Sequence, residues 1–269
     1  RWRILSAGFP AIALRVDKKP FDDVRVRRAL SMAIDRDAYI KTQLGGDGFI
    51  LGGPFSPRWG EQLYTPLEKL PPSAQELFQF NPQKAKQLLT EAGLPKGFKA
   101  EMVTMTFTTT LDICSMVVAF WKDIGAEVEL KPLEYATYLA VQYGKTHKHM
   151  MYYSKGHGQP TRLMQLIGTP GQYWNPTEFN DPKFNDMANK VVGLADMTEQ
   201  NRLGKEANIY LIEQCPYVIL PTGYYYSYAY PWVKNWWGEN NTGCRSFGSS
   251  IFATIWLDRE LRFKMIGKR

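Results

Sequence analysis

One segment restricts the possible folds more than any other: Lys19-Pro20-Phe21-Asp22-Asp23-Val24-Arg25-Val26-Arg27-Arg28-Ala29-Leu30-Ser31-Met32-Ala33-Ile34-Asp35-Arg36. An extended lead-in ends at Pro20, and Asp22 and Asp23 stand where a helix start needs side-chain acceptors. Val26, Ala29, Leu30, Ala33 and Ile34 then recur at three- and four-residue spacing, which predicts a helix with one buried face. Such a face needs a layer to lie on, and the sequence supplies one further along. Phe98 to Thr106 is apolar and β-rich, Leu111 to Ile124 is helical, Gly125 stops that helix, and Ala126 to Leu130 alternates apolar with acidic. A strand, helix and strand in that order predict a parallel pair joined by a right-handed crossover, and hence an α/β domain.

The remaining elements fit around this unit. Residues 1–18 read as a strand, with Ile12, Leu14 and Val16 alternating with Ala11, Ala13 and Arg15. Asp35 to Gln43 reads as a short helix, and Gly45 to Pro54 breaks regular structure ahead of a long loop from Phe55 to Pro72. In Asn81 to Gly93, Asn81 is a good cap and Pro82 suits the first helical position. Ala85, Leu88, Leu89 and Ala92 share a face there, and Gly93 stops the helix. Helices are expected at Tyr135 to Tyr143, Arg162 to Ile167, Asp181 to Ala195 and Thr198 to Glu213. Strands are expected at His149 to Tyr153, within Pro216 to Tyr230, and at Phe252 to Leu257.

Composition narrows the function classes. With 44% apolar and 14% aromatic residues over 269 positions, a large buried core is available. The apolar run Ile113 to Trp121 falls well short of the roughly 20 residues that cross a bilayer. Net charge is +7, but Lys and Arg are spread along the chain without an aromatic-plus-basic motif, which argues against nucleic acid as a partner. Cys114, Cys215 and Cys244 are too few and too dispersed for a zinc cluster; one Cys215–Cys244 bridge is compatible with the count, and so are free thiols. The absence of a Gly-x-Ser-x-Gly elbow and of any phosphate-binding glycine loop argues against an enzyme, and no cofactor is expected. His147, His149 and His157 offer imidazoles to a metal in principle, but Lys145 and Lys148 among them oppose a cation, so no metal site is expected.

Lys19 to Arg36 resembles the signature of the family 5 extracellular solute-binding proteins, the dipeptide-, oligopeptide- and nickel-type subunits of ABC importers. Asn81 to Gly93 resembles a second helix of the same family, and Pro231-Trp232-Val233 with the final Trp-containing strand resembles its closing segment. The resemblance implies one lobe of a periplasmic-binding-protein type II-like (cluster C) fold, a mixed β-sheet flanked by helices with hinge-crossing strands at both ends. On that basis residues 1–18 are expected to enter the lobe, 19–215 to form a carboxy-terminal α/β lobe, and 216–269 to return towards an amino-terminal lobe. The chain, which opens on Arg1-Trp2 without a leader, is expected to be part of a longer protein.

The same resemblance locates a ligand site. Peptide-binding members carry an aromatic residue, an aspartate three positions later that pairs with the ligand's amino terminus, and a proline four beyond. Tyr153 and Pro160 match, but Gly156 stands at the aspartate position between Lys155 and His157. A free ammonium would meet like charge there, so the expected ligand is not a standard free-amino peptide; an acid from another loop would restore one. Tyr152, Tyr153 and Trp174 are candidates for stacking on a cyclic or sugar-like ligand. So is Trp59, in a loop that either faces the cleft or is merely pinned by that ring. Tyr224 and Tyr226 share one side of a strand that Tyr225 does not, and complete the set with Lys155 and His157.

These expectations describe the substrate-binding subunit of an ABC importer rather than an enzyme. Its partners would be a small-molecule solute, a membrane permease and the amino-terminal lobe, and its location periplasmic or otherwise extracytoplasmic, with a lipoprotein anchor compatible. A sensor or interaction module is the competing reading.

Overall fold

The structure is a computed structural model that describes residues 1–6, 8–51, 53–155, 160–238 and 253–268. In chain order the elements are β1 (Trp2–Leu5), β2 (Phe9–Leu14), α1 (Val24–Met32), α2 (Arg36–Gln43), β3 (Gly48–Phe49), α3 (Pro72–Gln75) and α4 (Pro82–Glu91). Then come β4 (Phe98–Met105), α5 (Thr108–Lys122), β5 (Ala126–Leu133), α6 (Tyr135–Gly144), β6 (Met150–Lys155), α7 (Pro160–Gly168), α8 (Pro182–Gly193) and α9 (Met197–Gln214). The chain continues through β7 (Tyr217–Ile219), β8 (Thr222–Ser227), β9 (Val233–Lys234), β10 (Trp256–Leu257) and α10 (Arg259–Ile266). Among the described residues no helix is long and apolar enough to cross a membrane.

The chain divides into two units, one formed by Ser6–Gly223 and the other by Arg1–Leu5 with Tyr224–Arg269. The first is built on a five-stranded sheet in the order β5-β4-β6-β2-β7. Strand β4 is parallel to β5 and to β6, whereas β2 runs antiparallel to both β6 and β7, so the sheet is mixed. The predicted parallel pair starts where Gly97 meets Gly125: a Cβ on Gly97 would lie 1.8 Å from the Gly125 carbonyl oxygen, so only glycine permits the approach.

Strand β2 explains how the layers are arranged. Its alternation looks like a half-buried strand, yet Ala11 to Leu14 are wholly buried because both faces are covered. Ile12 and Leu14 face one core with Val26 and Leu30 of α1, Leu89 of α4 and Trp121 of α5. Phe9, Ala11 and Ala13 face a second core with Leu163 of α7, Phe184 of α8 and Leu211 of α9. The result is a sheet between two helical layers.

The signature segment buries Val26, Ala29, Leu30, Ala33 and Ile34, the last two just past the end of α1, and Asp23 caps the helix by accepting from the Arg25 backbone N–H at 2.8 Å. Its arginines bind backbone carbonyls as well as carboxylates. The Arg27 guanidinium donates to the Gln214 carbonyl through Nε and Nη2 (2.9 and 2.8 Å) and to the Phe21 carbonyl at 2.8 Å. Arg28 reaches the Ser73 carbonyl and the Glu76 carboxylate, and Arg36 donates to the carbonyls of Ser31 and Ile219. The motif is therefore a clamp joining α1 to the end of α9 and to β7.

In the second unit β1 pairs antiparallel with the part of β8 that belongs to it, Tyr224 to Ser227, and β9 pairs with β10. The strand expected over Phe252 to Leu257 is shorter among the described residues, where Ala253 and Thr254 form a turn and only Trp256–Leu257 is strand. Helix α10 was not expected; Asp258 caps it by accepting from Leu261 N–H.

Candidate functional site

Side chains alternate along β6, so Tyr152 and Tyr153 cannot line one surface. Tyr152 joins the α1–α4–α5 core and Tyr153 the α7–α8–α9 core. Tyr153 is 0% exposed. Its ring touches Phe9 (5.6 Å between centroids) and Tyr217 (5.3 Å), and burial holds its hydroxyl well above the usual phenol range. That hydroxyl donates to the Trp174 carbonyl at 3.1 Å. The role visible for Tyr153 is to fix the segment after α7 against the end of β6.

The segment that it fixes is rigid for further reasons. Asn175 is wholly buried and its amide donates to the carbonyls of Thr169 and Phe179, both at 3.0 Å, while the Thr177 hydroxyl donates to the Asn175 amide oxygen. The Val16 N–H closes the far side on the Thr177 carbonyl. Trp174, half-buried against the second core, and its exposed neighbour Tyr173 are thereby presented beside β6.

Lys155 ends β6 within this setting. Its Nζ lies 5.7 Å from the Tyr143 ring centroid and 6.0 Å from that of Trp174. Tyr173 links the two, edge-on to Tyr143 at 5.8 Å and to Trp174 at 5.5 Å. The ammonium is half-buried, and burial lowers its pKa, with no acidic group among the described residues acting against it. The site is thus one cation and three rings on the Ser6–Gly223 unit: Lys155 and Trp174, which the sequence singled out, with Tyr143 and Tyr173, which it did not. Tyr173 adjoins Trp174 in sequence and Tyr143 ends a predicted helix, so both were legible as aromatics but not as neighbours.

The other expected residues lie elsewhere or outside the described structure. Trp59 packs, half-buried, on the same core cluster as Trp174, its indole N–H buried without a hydrogen-bond partner. Tyr224 and Tyr226 belong to the other unit and share a face, as β-alternation requires. The Arg3 guanidinium lies 3.4 Å from the Tyr224 ring centroid and that of Arg1 lies 4.2 Å from Tyr226, so each ring already carries a cation. Gly156 and His157 lie outside the described residues. Cys215 is a buried free thiol and Cys244 also lies outside.

The histidines do not converge on a strand face, because both precede β6. His147 is buried, and the low-dielectric surroundings followed by the nearby Arg15 charge push its pKa down to about 3. His149 accepts the Glu101 backbone N–H on Nδ1 at 3.1 Å. Among the described residues no group of three or more His, Cys, Asp or Glu is placed to hold a metal. A cavity of about 530 Å³ opens beside Lys19, Asp22, Val26, Leu94 and Phe98, and one of about 370 Å³ lies by Lys99, Glu101, Glu129 and His149. Neither includes a residue of the Lys155 site.

Comparison with known proteins agrees with this architecture. Residues 4–175 match the family model described as bacterial extracellular solute-binding proteins, family 5 Middle. Heme-binding protein A of Haemophilus influenzae is 27% identical over 215 residues, 77% of this chain and 38% of that protein. The dipeptide-binding protein of Escherichia coli is 27% identical over 230 residues, 80% of this chain and 40% of that protein. The chain therefore spans about two-fifths of the length of these relatives. The Helicobacter pylori periplasmic binding protein DppA, solved in complex with the peptide STSA, superposes with a TM-score of 0.71 at 24% identity, covering 83% of this chain and 43% of that one. These are binding proteins rather than enzymes. With the family match running unbroken from β1 through the signature helix and β6 to the Trp174 segment, the chain belongs to the family 5 bacterial extracellular solute-binding proteins.

Proposed function

We propose that this chain supplies the carboxy-terminal lobe of the substrate-binding subunit of an ABC importer. In this reading an extracytoplasmic solute is captured between this lobe and an amino-terminal one, the lobes close on it, and a membrane permease receives it. Residues 1–18 and 216–269 carry the chain between the lobes. The observation that carries the reading is the family match over residues 4–175, which includes both the signature helix α1 and the Lys155 site.

The ligand is not a standard free-amino peptide. Lys155, half-buried with no carboxylate among the described residues acting on it, adjoins in sequence the position where an ammonium would have to be received, and like charge there opposes it. A second reading, a peptide-binding member whose amine-pairing acid comes from another segment, is favoured by the E. coli relative being a dipeptide-binding protein. Native mass spectrometry of the full-length protein, purified without refolding, tests the transport reading: a retained small molecule is expected. A stable protein partner with no small molecule would instead mark a sensor or interaction module. A thermal-shift panel of peptides, glycosides, organic acids and nickel chelates then separates the ligand classes. A large shift with free-amino peptides selects the second reading.

A further inference from the structure

An ammonium that has lost part of its water needs compensation, and Lys155 finds only part of it within the chain. The Tyr143 and Trp174 rings lie at the outer limit of cation–π range, where such contacts are weak. Filling this corner of the fold does not require a charge, since a Met or Leu at the end of β6 would pack there without a desolvation cost. Tyr143 and Tyr173 keep exposed ring surface. Tyr143 is 42% exposed and Tyr173 is 51% exposed, although each makes an edge-on contact that fixes its plane. The Tyr153 hydroxyl and the Asn175 amide hold the segment that bears them, so the surface is formed in advance of any ligand. It stands at the carboxyl end of β6, within the part of the mixed sheet where β6, β4 and β5 run parallel, the strand end at which α/β folds receive ligands.

We infer that Lys155, with Tyr143, Tyr173 and Trp174, forms a specificity surface for a carboxylate-bearing solute with a flat ring, the carboxylate seated on Nζ and the ring against Tyr173 and Trp174. This rests on the solute-binding reading and narrows it to a substrate class. A carboxylate fits better than a phosphate because the cluster offers one unit charge and no guanidinium fork. Lys155 sets the preference for negative charge, while the rings supply affinity that is indifferent to charge.

Three matched probes separate these roles in the full-length protein by titration calorimetry: 4-hydroxyphenylacetate, tyramine and the neutral 4-hydroxyphenethyl alcohol. The acid is expected to bind at least tenfold more tightly than the amine. Lys155→Met should reduce that ratio to less than threefold, and Lys155→Arg should keep it. Tyr173→Ala, a change at an exposed ring, should weaken all three probes by a similar factor, with melting temperatures confirming that every variant is folded. Tyramine binding as tightly as the acid, or an acid preference that survives in Lys155→Met, would overturn the inference. If none of the probes binds while native mass spectrometry shows a retained solute, the substrate class is wrong and the transport reading stands. If no small molecule is found by either method, both fail.

Discussion

Arg27 and Arg36 are buried, an arrangement that costs free energy unless the guanidinium donors find acceptors. Backbone carbonyls and the Ser31 hydroxyl provide most of the acceptors, although Arg36 Nε finds none among the described residues, and burial pulls the Arg36 pKa down to about 10. Arg27 shows why the position needs a guanidinium: its planar fork binds the Gln214 carbonyl twice and still reaches Phe21, which a lysine cannot reproduce. Arg27→Lys is therefore expected to lower unfolding stability by about 2 kcal/mol, with the urea m-value unchanged. None of this was legible locally, because Gln214 is 187 positions away from Arg27 and the arginines read as ordinary helix charges. His147 carries a second prediction. It is buried beside Arg15, Asp17 and Lys18, and its ring nitrogens lack well-formed hydrogen bonds. Its folded pKa of about 3 lies below the ordinary 6.5, so between those values the unfolded chain binds the extra proton. Stability then falls as pH drops from 6.5 towards 3, by up to about 1.4 kcal/mol per pH unit. Chemical denaturation at pH 7, 6, 5 and 4 should show this slope, and His147→Phe should flatten it; an unchanged slope in the variant would show that His147 is not its source.

At the level of elements, local chemistry predicted most boundaries because caps are short-range. Asn81 accepts the Lys84 N–H at 2.9 Å on its side chain while its own N–H donates to the Met32 carbonyl at 2.8 Å, so one residue both starts α4 and ties it to the end of α1. Asn81→Ala should cost about 1 kcal/mol, since only the side-chain half of that arrangement is lost. Asn81→Ser should recover most of it, and equal stability of Asn81→Ala and the parent would show that the cap is idle. The failures have the same physical origin as the successes. Apolar alternation reports a buried face only where another layer covers it. Trp256 and Leu257 are 56% and 50% exposed, so the run that ends with them overstated a strand. For α10 the cap Asp258, the first-turn Glu260 and the last-turn Lys264 were all readable, but Arg259–Ile266 buries no residue and so has no apolar stripe to mark it. In the candidate site, Lys155 and Trp174 were found because each is unusual in its own segment. Their meeting with Tyr143 and Tyr173 depends on how α6, β6 and the segment after α7 pack, which no local pattern encodes.

At the scale of the whole molecule, the family signature and the candidate site do different work. Lys19 to Arg36 is spent on the interior, whereas the residues that face outwards with chemistry to offer gather at the end of β6. The interior itself is confined to one stretch of chain. Every residue of the two hydrophobic cores lies between Phe9 and Leu220, and the pairings of the five-stranded sheet fall within the same limits. Among the described residues, 1–5, 224–238 and 253–268 are in neither core cluster. A chain of residues 6–223 should therefore fold alone, because it keeps the apolar burial that offsets its conformational entropy. It also keeps both partners of each arginine clamp, since Gln214 and Ile219 lie inside it. Its far-ultraviolet circular dichroism should show a mixed α/β spectrum, and urea should unfold it in one transition with an m-value in proportion to its buried area. Ring-current-shifted methyl resonances should persist in its proton NMR spectrum, since Val26 and Leu30 pack in the same core as Trp121. A broad, probe-dependent transition or the loss of those shifts would show that Arg1–Leu5 and Tyr224–Arg269 are required for the core to form.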